Sequence, residues 1–332
     1  MARYFENAAG ALVPDALSGF ARAHADLVAY DAGDGFFTAR HSSPARRAGL
    51  LSGGGSGHEP LHAGYVGAGM LDAACPGRVF ASPHNRQIFR ASRAVAGPEG
   101  VLHIVKNYTG DRINFGIAAE RLAAAGIGCA RVLVDDDLAS DSGRIAAGRR
   151  GTGATVLVEK VLGGAADTGM GLDELVELGT AVAGRCRTLA AASAAHTAPA
   201  SGEPAFELPA GELEYGVGIH GERAGRTRAQ GGVRALVEEM TGSLLDALRP
   251  GPDAPVVALV NGLGAVTSLE LYGIFGELGR ILDGRRVRLA RHLVGDYVTA
   301  LDMRGFSLTL MVADHDTLSF YDAPVRTPAL RW

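Results

Sequence analysis

Apolar residues fall in short runs along the first half of the chain, and most runs end in glycine or a polar cluster. Leu17, Phe20 and Leu27 recur at helical spacing and predict a helix over residues 17–28. Ala48-Gly-Leu-Leu51 predicts a strand feeding into the glycine-rich loop Leu51-Ser-Gly-Gly-Gly-Ser-Gly-His-Glu-Pro60. Val101-Leu-His-Ile-Val105 predicts a strand ending in Lys106-Asn-Tyr-Thr-Gly-Asp111, with a helix over 115–125 behind it. Arg131-Val-Leu-Val134 predicts another strand, ending in Asp135-Asp-Asp137, and 155–161 and 172–183 read as helical. This alternation of strand and helix predicts an α/β domain whose sheet is mainly parallel or mixed and flanked by helices.

Residues 188–209 break the rhythm with Ala, Ser, Pro and Gly, so a domain boundary is expected there. Residues 1–188 would form an N-terminal α/β domain with the glycine-rich loops. Residues 189–332 would form a smaller C-terminal α/β domain. Its expected elements are strands over 214–219, 256–260, 293–298, 307–312 and 318–321, and helices over 233–248 and from Thr267 or Ser268. No internal repeat is visible, and the alanine-rich stretch 189–195 is the one low-complexity tract.

Composition narrows the function. A chain of 332 residues with 47% hydrophobic and 20% charged residues is globular, and its length favours two domains. The net charge of −4 and the lack of a basic, aromatic-laced cluster speak against nucleic acid and anionic membranes as partners. Cys75, Cys129 and Cys186 are sparse and odd in number, which suits a reducing cytoplasm. Met1-Ala-Arg-Tyr-Phe-Glu-Asn lacks the layout of a signal peptide, and no apolar stretch reaches the ~20 residues that span a bilayer.

Polar clusters at strand ends are the candidate chemistry, because ligands bind beyond the carboxyl ends of strands in open α/β sheets. Glycines 53–55 would let the backbone take positive φ and approach a ligand, with His58 and Glu59 following at once. The loop has no Walker lysine and fits G-x-G-x-x-G poorly. Asp111 reads as a general base or as a helix cap. His220, between Ile219 and Gly221, reads as a nucleophile, a base or a satisfied structural histidine. No histidine pair has metal-ligand spacing, so no metal is expected. Asp135-Asp-Asp137 reads as a solvated turn and helix cap before it reads as a magnesium site. Asn261-Gly-Leu-Gly-Ala-Val-Thr-Ser268 is equally an anion cradle and a tight turn.

Taken in order, these motifs resemble the K subunit of dihydroxyacetone kinases. The matched segments include Leu51 to Pro60, Ala74-Cys-Pro-Gly77, Val105 to Asp111, Val134 to Asp137, Ala147-Gly-Arg-Arg-Gly151 and Val158-Glu-Lys160. They continue through Glu214-Tyr-Gly-Val-Gly-Ile-His-Gly-Glu222, Glu270-Leu-Tyr-Gly273, Leu301-Asp-Met303 and Asp322-Ala-Pro324, and so cover essentially the whole chain. The resemblance implies that His220 captures the ketone of dihydroxyacetone as a hemiaminal. It implies that Asp111 accepts the proton of the attacking hydroxyl, that His58 orients the substrate, and that Gly54, Gly55, Ser82 and Lys106 line the pocket. It also implies a homodimer that binds no cofactor itself. Mg-ATP, or Mg-ADP recharged through a phosphoenolpyruvate-dependent phosphocarrier, would sit on a separate L-type nucleotide-binding subunit.

Two departures bear on the substrate. His84 and Asn85 follow Ser82-Pro83 where many relatives read Thr-Pro, which opens the pocket rim to a slightly larger ketose such as erythrulose. Arg223 stands where the family usually has proline and adds a charge that would meet a phosphate or an acidic partner. Two other classes compete: a ketose-sensing co-activator of transcription without turnover, and a generic α/β enzyme that binds nucleotide by itself.

Overall fold

The computed structural model describes residues 4–8, 10–140 and 148–332. Met1 to Arg3 of the amino terminus and Ala147 of the Ala147–Gly151 motif lie outside the described residues. The first sheet contains β1 (Val28–Asp31), β2 (Phe36–Ala39), β3 (Ala48–Ser56), β4 (Ala73–Val79), β5 (Gly100–Lys106) and β6 (Cys129–Val134). Their spatial order is β1-β2-β4-β3-β5-β6. The four strands β4, β3, β5 and β6 are parallel, and β1 and β2 add an antiparallel edge, so the sheet is mixed. Helices α1 (Leu12–Ala23), α2 (Asn85–Val95), α3 (Thr109–Ala124), α4 (Ala154–Ala166) and α5 (Leu172–Gly184) accompany it.

The second sheet contains β7 (Cys186–Ala194), β8 (Glu212–Tyr215), β9 (Thr227–Ala229), β10 (Val256–Gly262), β11 (Leu289–Gly295) and β12 (Arg304–Val312). Its order is β11-β10-β12-β7-β8-β9, with only β10 and β11 parallel. Helices α6 (Val233–Leu248) and α7 (Ser268–Gly284) pack on it through Leu236, Met240, Leu244, Leu271 and Leu278. α8 (His315–Asp322) closes against α4.

The helix α4 lies between the two sheets. One apolar cluster joins Leu50, Leu102 and Ile104 of the first sheet, Val156, Leu157 and Val161 of α4, and Val257 and Met311 of the second. Every residue of α4 is buried, which its apolar composition on all faces permits. Glu159 and Lys160 are the exceptions in composition, and both need partners inside the protein.

Several expected boundaries move. The helix expected over 17–28 is α1, Leu12–Ala23, and Val28 opens β1. Leu27 is apolar because a turn carries it into the core. The helix expected over 115–125 begins earlier, at Thr109. The strand expected over 214–219 ends at Tyr215, where Gly216 takes φ +90°. Residues 318–321 are not a strand but part of α8, started by Asp314, whose side chain accepts from the Thr317 N–H at 2.8 Å. The alanine-rich stretch from Leu189 is the body of β7, whose small side chains lie between β12 and β8. A boundary between residues 188 and 189 therefore falls inside a strand of the second sheet.

Candidate active site

The glycines of the first motif are strand residues rather than a loop. β3 runs through them to Ser56, and only Gly57, just beyond, has positive φ, at +99°. What they supply is space. A Cβ on Gly53 would stand 2.7 Å from the Cys75 carbonyl oxygen, and one on Gly55 would stand 2.6 Å from the Phe80 and Ala81 backbone. A Cβ on Gly54 would stand 2.2 Å from Lys106 Nζ. Gly57 then turns the chain and drops His58 into the interior. His58 Nδ1 lies 2.7 Å from the Thr299 carbonyl oxygen. A carbonyl only accepts, so Nδ1 carries the proton and Nε2 keeps its lone pair. That Nε2 is buried and has no partner among the described residues. Burial, then the charges of His220 and Lys106, push the imidazole well below its ordinary value, so it is neutral.

β5 delivers Lys106 as its last residue, at the carboxyl edge of the parallel strands. Its Nζ lies 2.8 Å from His62 Nε2, 3.5 Å from the Gly53 carbonyl oxygen and 3.9 Å from Asp111 Oδ2. Asp111 is buried in the first turn of α3, and the cap position belongs to Tyr108, so capping does not account for Asp111. Ser82, in the segment after β4, lies against this turn. A Cβ on Gly110 would stand 3.3 Å from Ser82 Cβ, and Asn114 Nδ2 donates to Ser82 Oγ at 3.4 Å.

His220 reaches the same place from the second half of the chain. Its loop is tight: the Gly218 N–H donates to the Glu222 carbonyl at 2.8 Å, and Gly221 takes φ +83°. This returns the Glu222 carboxylate over the histidine, with Oε1 3.0 Å from His220 Nδ1 and Oε2 2.9 Å from its backbone nitrogen. Burial alone would raise the Glu222 carboxyl. The hydrogen bond and charge of His220, then Arg150, outweigh it and hold the carboxyl at about 2. An ionised carboxylate only accepts, so Nδ1 carries a proton, and in the neutral form of the ring the lone pair sits on Nε2. Around the ring stand His58, Phe80 and Tyr108, with centroids 4.9, 5.3 and 4.6 Å away.

The sequence-expected residues thus converge. His58, Gly54, Gly55, Lys106, Asp111 and Ser82 cluster at one edge of the first sheet, and His220 meets them through His58 and Tyr108. Three further polar atoms of interest were not singled out by sequence. Tyr108 Oη and His196 Nδ1 are buried without a partner among the described residues, as His58 Nε2 is, and His196 packs edge-on against Phe80 at 4.7 Å. Arg150 is the third, with Nε 2.6 Å from Asp137 Oδ2 and Nη2 3.1 Å from the Gly216 carbonyl, which ties the His220 loop to the first half. Tyr108 and Arg150 lay inside matched motifs; Phe80, with φ +54°, and His196 had no sequence signal. A cleft of about 1370 Å³ runs from the surface to Phe80, Ser82, His84 and His196.

Asp136 and Asp137 are buried rather than solvated. Asp136 accepts from the Thr152 and Ala154 N–H groups at 2.7 and 3.0 Å at the start of α4, so the capping half of the expectation holds. Arg223 Nε lies 2.9 Å from Glu214, which is fully buried. His84 caps α2, its Nδ1 accepting from the Arg86 N–H at 3.1 Å. Among the described residues, no group of three or more His, Cys, Asp or Glu could hold a metal ion, and no helix is long and apolar enough to cross a membrane.

The Dak1 domain family matches residues 18–329. The dihydroxyacetone-binding subunit of the PEP-dependent dihydroxyacetone kinase of Escherichia coli (strain K12) is 41% identical over 348 residues, covering 97% of each chain. The crystal structure of the dihydroxyacetone kinase of C. freundii superposes with a TM-score of 0.91 at 33% identity, over 99% of this chain and 60% of that one. A dihydroxyacetone kinase operon co-activator superposes with a TM-score of 0.88 at 31% identity, over 95% of this chain and 96% of that one. By the domain match and by identity along nearly its whole length, the chain belongs to the Dak1 family of dihydroxyacetone kinase K subunits.

Proposed function

We propose that this chain is the ketose-binding catalytic subunit of a multi-subunit kinase, and that it holds dihydroxyacetone as a hemiaminal on His220. The observation that carries the reading is the His220–Glu222 pair facing buried polar atoms that have no partner among the described residues. Glu222 holds the Nδ1 proton, so Nε2 is free to attack the ketone carbon. The C–N bond forms as the carbonyl π pair moves to oxygen. The oxygen takes a proton from water, Nδ1 gives one up to Glu222 and Glu222 returns it to water, so the net change moves one proton from nitrogen to oxygen. His58 Nε2 can only accept, so it takes a hydrogen bond from a substrate hydroxyl rather than protonating the oxygen. Covalent capture needs a carbonyl and so rejects glycerol, which hydrogen bonds alone discriminate weakly.

Capture fixes the terminal hydroxyl for phosphoryl transfer, where positioning supplies much of the rate. Asp111 accepts the hydroxyl proton, and Lys106 and the backbone at Gly54 and Gly55 line the floor. The phosphoryl group comes from Mg-ATP, or from Mg-ADP recharged by a phosphoenolpyruvate-dependent phosphocarrier, on a separate L-type subunit. The relative in Escherichia coli, whose name includes PEP-dependence, supports this donor. A homodimer, a cytoplasmic location and a role in glycerol metabolism belong to the same reading.

A second reading is ketose sensing without turnover, and the likeness to an operon co-activator supports it. Asp111 beside Lys106 favours the kinase, because sensing needs no base. Titration calorimetry tests capture. Dihydroxyacetone should bind the chain and glycerol should not, and His220→Ala should abolish the difference. Equal binding of both by the unaltered protein would sink covalent capture.

A further inference from the structure

The chain contains two lysines, Lys106 and Lys160, and every other one of its 32 basic residues is arginine. Lysine differs from arginine in that burial readily removes its charge. Lys106 is buried at the pocket floor with its Nζ 2.8 Å from His62 Nε2. Across the ring, His62 Nδ1 lies 2.6 Å from Glu159 Oε1 on α4. Ser52 Oγ is also near Nδ1, at 2.9 Å, but it donates its own proton to the Ile104 carbonyl at 2.7 Å and so only accepts from the ring. His62 and Glu159 are both buried, and Glu159 Oε2 has no partner among the described residues. The site described above uses none of Ser52, His62 and Glu159.

The hydrogen-bond rules constrain this chain of groups. Burial keeps His62 well below its ordinary value, so the imidazole is neutral and has one lone-pair nitrogen. An ammonium at Lys106 donates to Nε2 and forces the ring proton onto Nδ1. Nδ1 then donates to Glu159 Oε1 at 2.6 Å or to Ser52 Oγ at 2.9 Å, and an ionised Glu159 is the stronger acceptor of the two. A protonated Glu159, with its proton on Oε2, still accepts through Oε1 but without the charge that strengthens the bond. An ionised Glu159 therefore favours the charged form of Lys106 through His62, and the two titrate as a pair. Burial pushes both towards neutrality, while Asp111 and Glu159 pull Lys106 back towards its charged form. The other ionisable groups facing the cluster are His58, from the turn after β3, and Tyr65 beside Glu159.

We propose that His62 and Glu159 are positioning residues: they hold the Lys106 amino group against the ketose pocket and keep it an ammonium, through a relay ending on the Glu159 carboxylate. Gly54 is part of the same arrangement, since any side chain there would occupy the place of Nζ. The inference rests on the reading that Lys106 touches the ketose.

Two lysines make the test direct. Lysine labelled with ¹³C at Cε gives two signals, and Lys106→Met assigns them. The Lys106 signal is titrated in the full chain, and affinity for dihydroxyacetone is measured over the same pH range. In Glu159→Gln, whose amide oxygen still accepts from Nδ1, Lys106 should lose its proton about one pH unit or more lower than in the unaltered protein. Ketose affinity should fall at correspondingly lower pH. His62→Gln, which accepts from Nζ but cuts the path to Glu159, should shift the titration the same way and serves if the first variant does not fold. A titration unmoved, or moved upward, while Lys106→Met has lost affinity overturns the relay alone. If Lys106→Met binds dihydroxyacetone like the unaltered protein, the relay and the placement of Lys106 in the pocket fall together, with capture on His220 still to stand or fall by its own test.

Discussion

At the scale of residues, the chemistry depends on which nitrogen of each histidine carries the proton. Two neighbours decide it: the Thr299 carbonyl for His58 and the Glu222 carboxylate for His220. Replacing Glu222 with Gln keeps the size but lets the amide donate to Nδ1, which moves the proton to Nε2 and removes the nucleophile. Capture should weaken roughly 10–100-fold, the order that losing a histidine's orienting partner costs at metal sites, as read by the adduct signal at fixed ketose concentration. The carboxyl lies at about 2 in the fold against an ordinary value of 4.5. Its contribution to stability is therefore present above pH 4.5 and is lost as pH falls towards 2. Thermal unfolding of Glu222→Gln should accordingly depend less on pH across that window than unfolding of the unaltered protein. The identities of His58, Asp111 and His220 were legible because each stands in a distinctive motif. Their partners were not, because Thr299 is 241 positions from His58 and only folding brings them together.

At the scale of elements, the glycine run shows what pattern reading sees and what it misses. Three glycines after an apolar run suggested a flexible loop, whereas they are the middle of a buried strand. The reason lies in neighbours distant in sequence: Cys75, Lys106 and the Phe80–Ala81 backbone leave no room for a Cβ. This separates two substitutions that look alike. Gly55→Ala would press on backbone and should cost about 1–3 kcal/mol of stability, read by denaturant unfolding. Gly54→Ala would press on the mobile end of Lys106 and should weaken ketose binding with a smaller loss of stability. The long helices α6 and α7 were readable because sixteen or more residues of periodic pattern leave little choice. The four-residue stretch Leu318-Ser-Phe-Tyr321 in α8 was not, since so short a stretch fits strand and helix alike, and the Asp314 cap was the overlooked signal.

At the scale of the whole molecule, the site exists only because the two halves meet. Arg150 makes the crossing explicit, bonding Asp137 on one side and the Gly216 carbonyl on the other. Asp137 is buried, so Arg150→Ala would leave a carboxyl without its counter-charge and should destabilise the protein by about 3 kcal/mol. It should also loosen the His220 loop, so capture should fall along with the unfolding midpoint. Arg223 likewise neutralises a buried carboxyl, Glu214, but from a half-exposed position, and Arg223→Ala should cost about 1–3 kcal/mol and leave capture unchanged. The two-part α/β plan was visible in the alternation of strands and helices, but the helix shared between the sheets was not. Buried position and contact across the molecule have no local signature.

Covalent capture on His220 is the claim on which the rest depends. The direct measurement is the ¹³C NMR spectrum of dihydroxyacetone labelled at its ketone carbon, mixed with the purified chain, with His220→Ala alongside. The account predicts that the bound ketone signal moves to the tetrahedral-carbon region with the unaltered protein and stays at the ketone position with the variant. A bound signal that remains a ketone in the unaltered protein would contradict it.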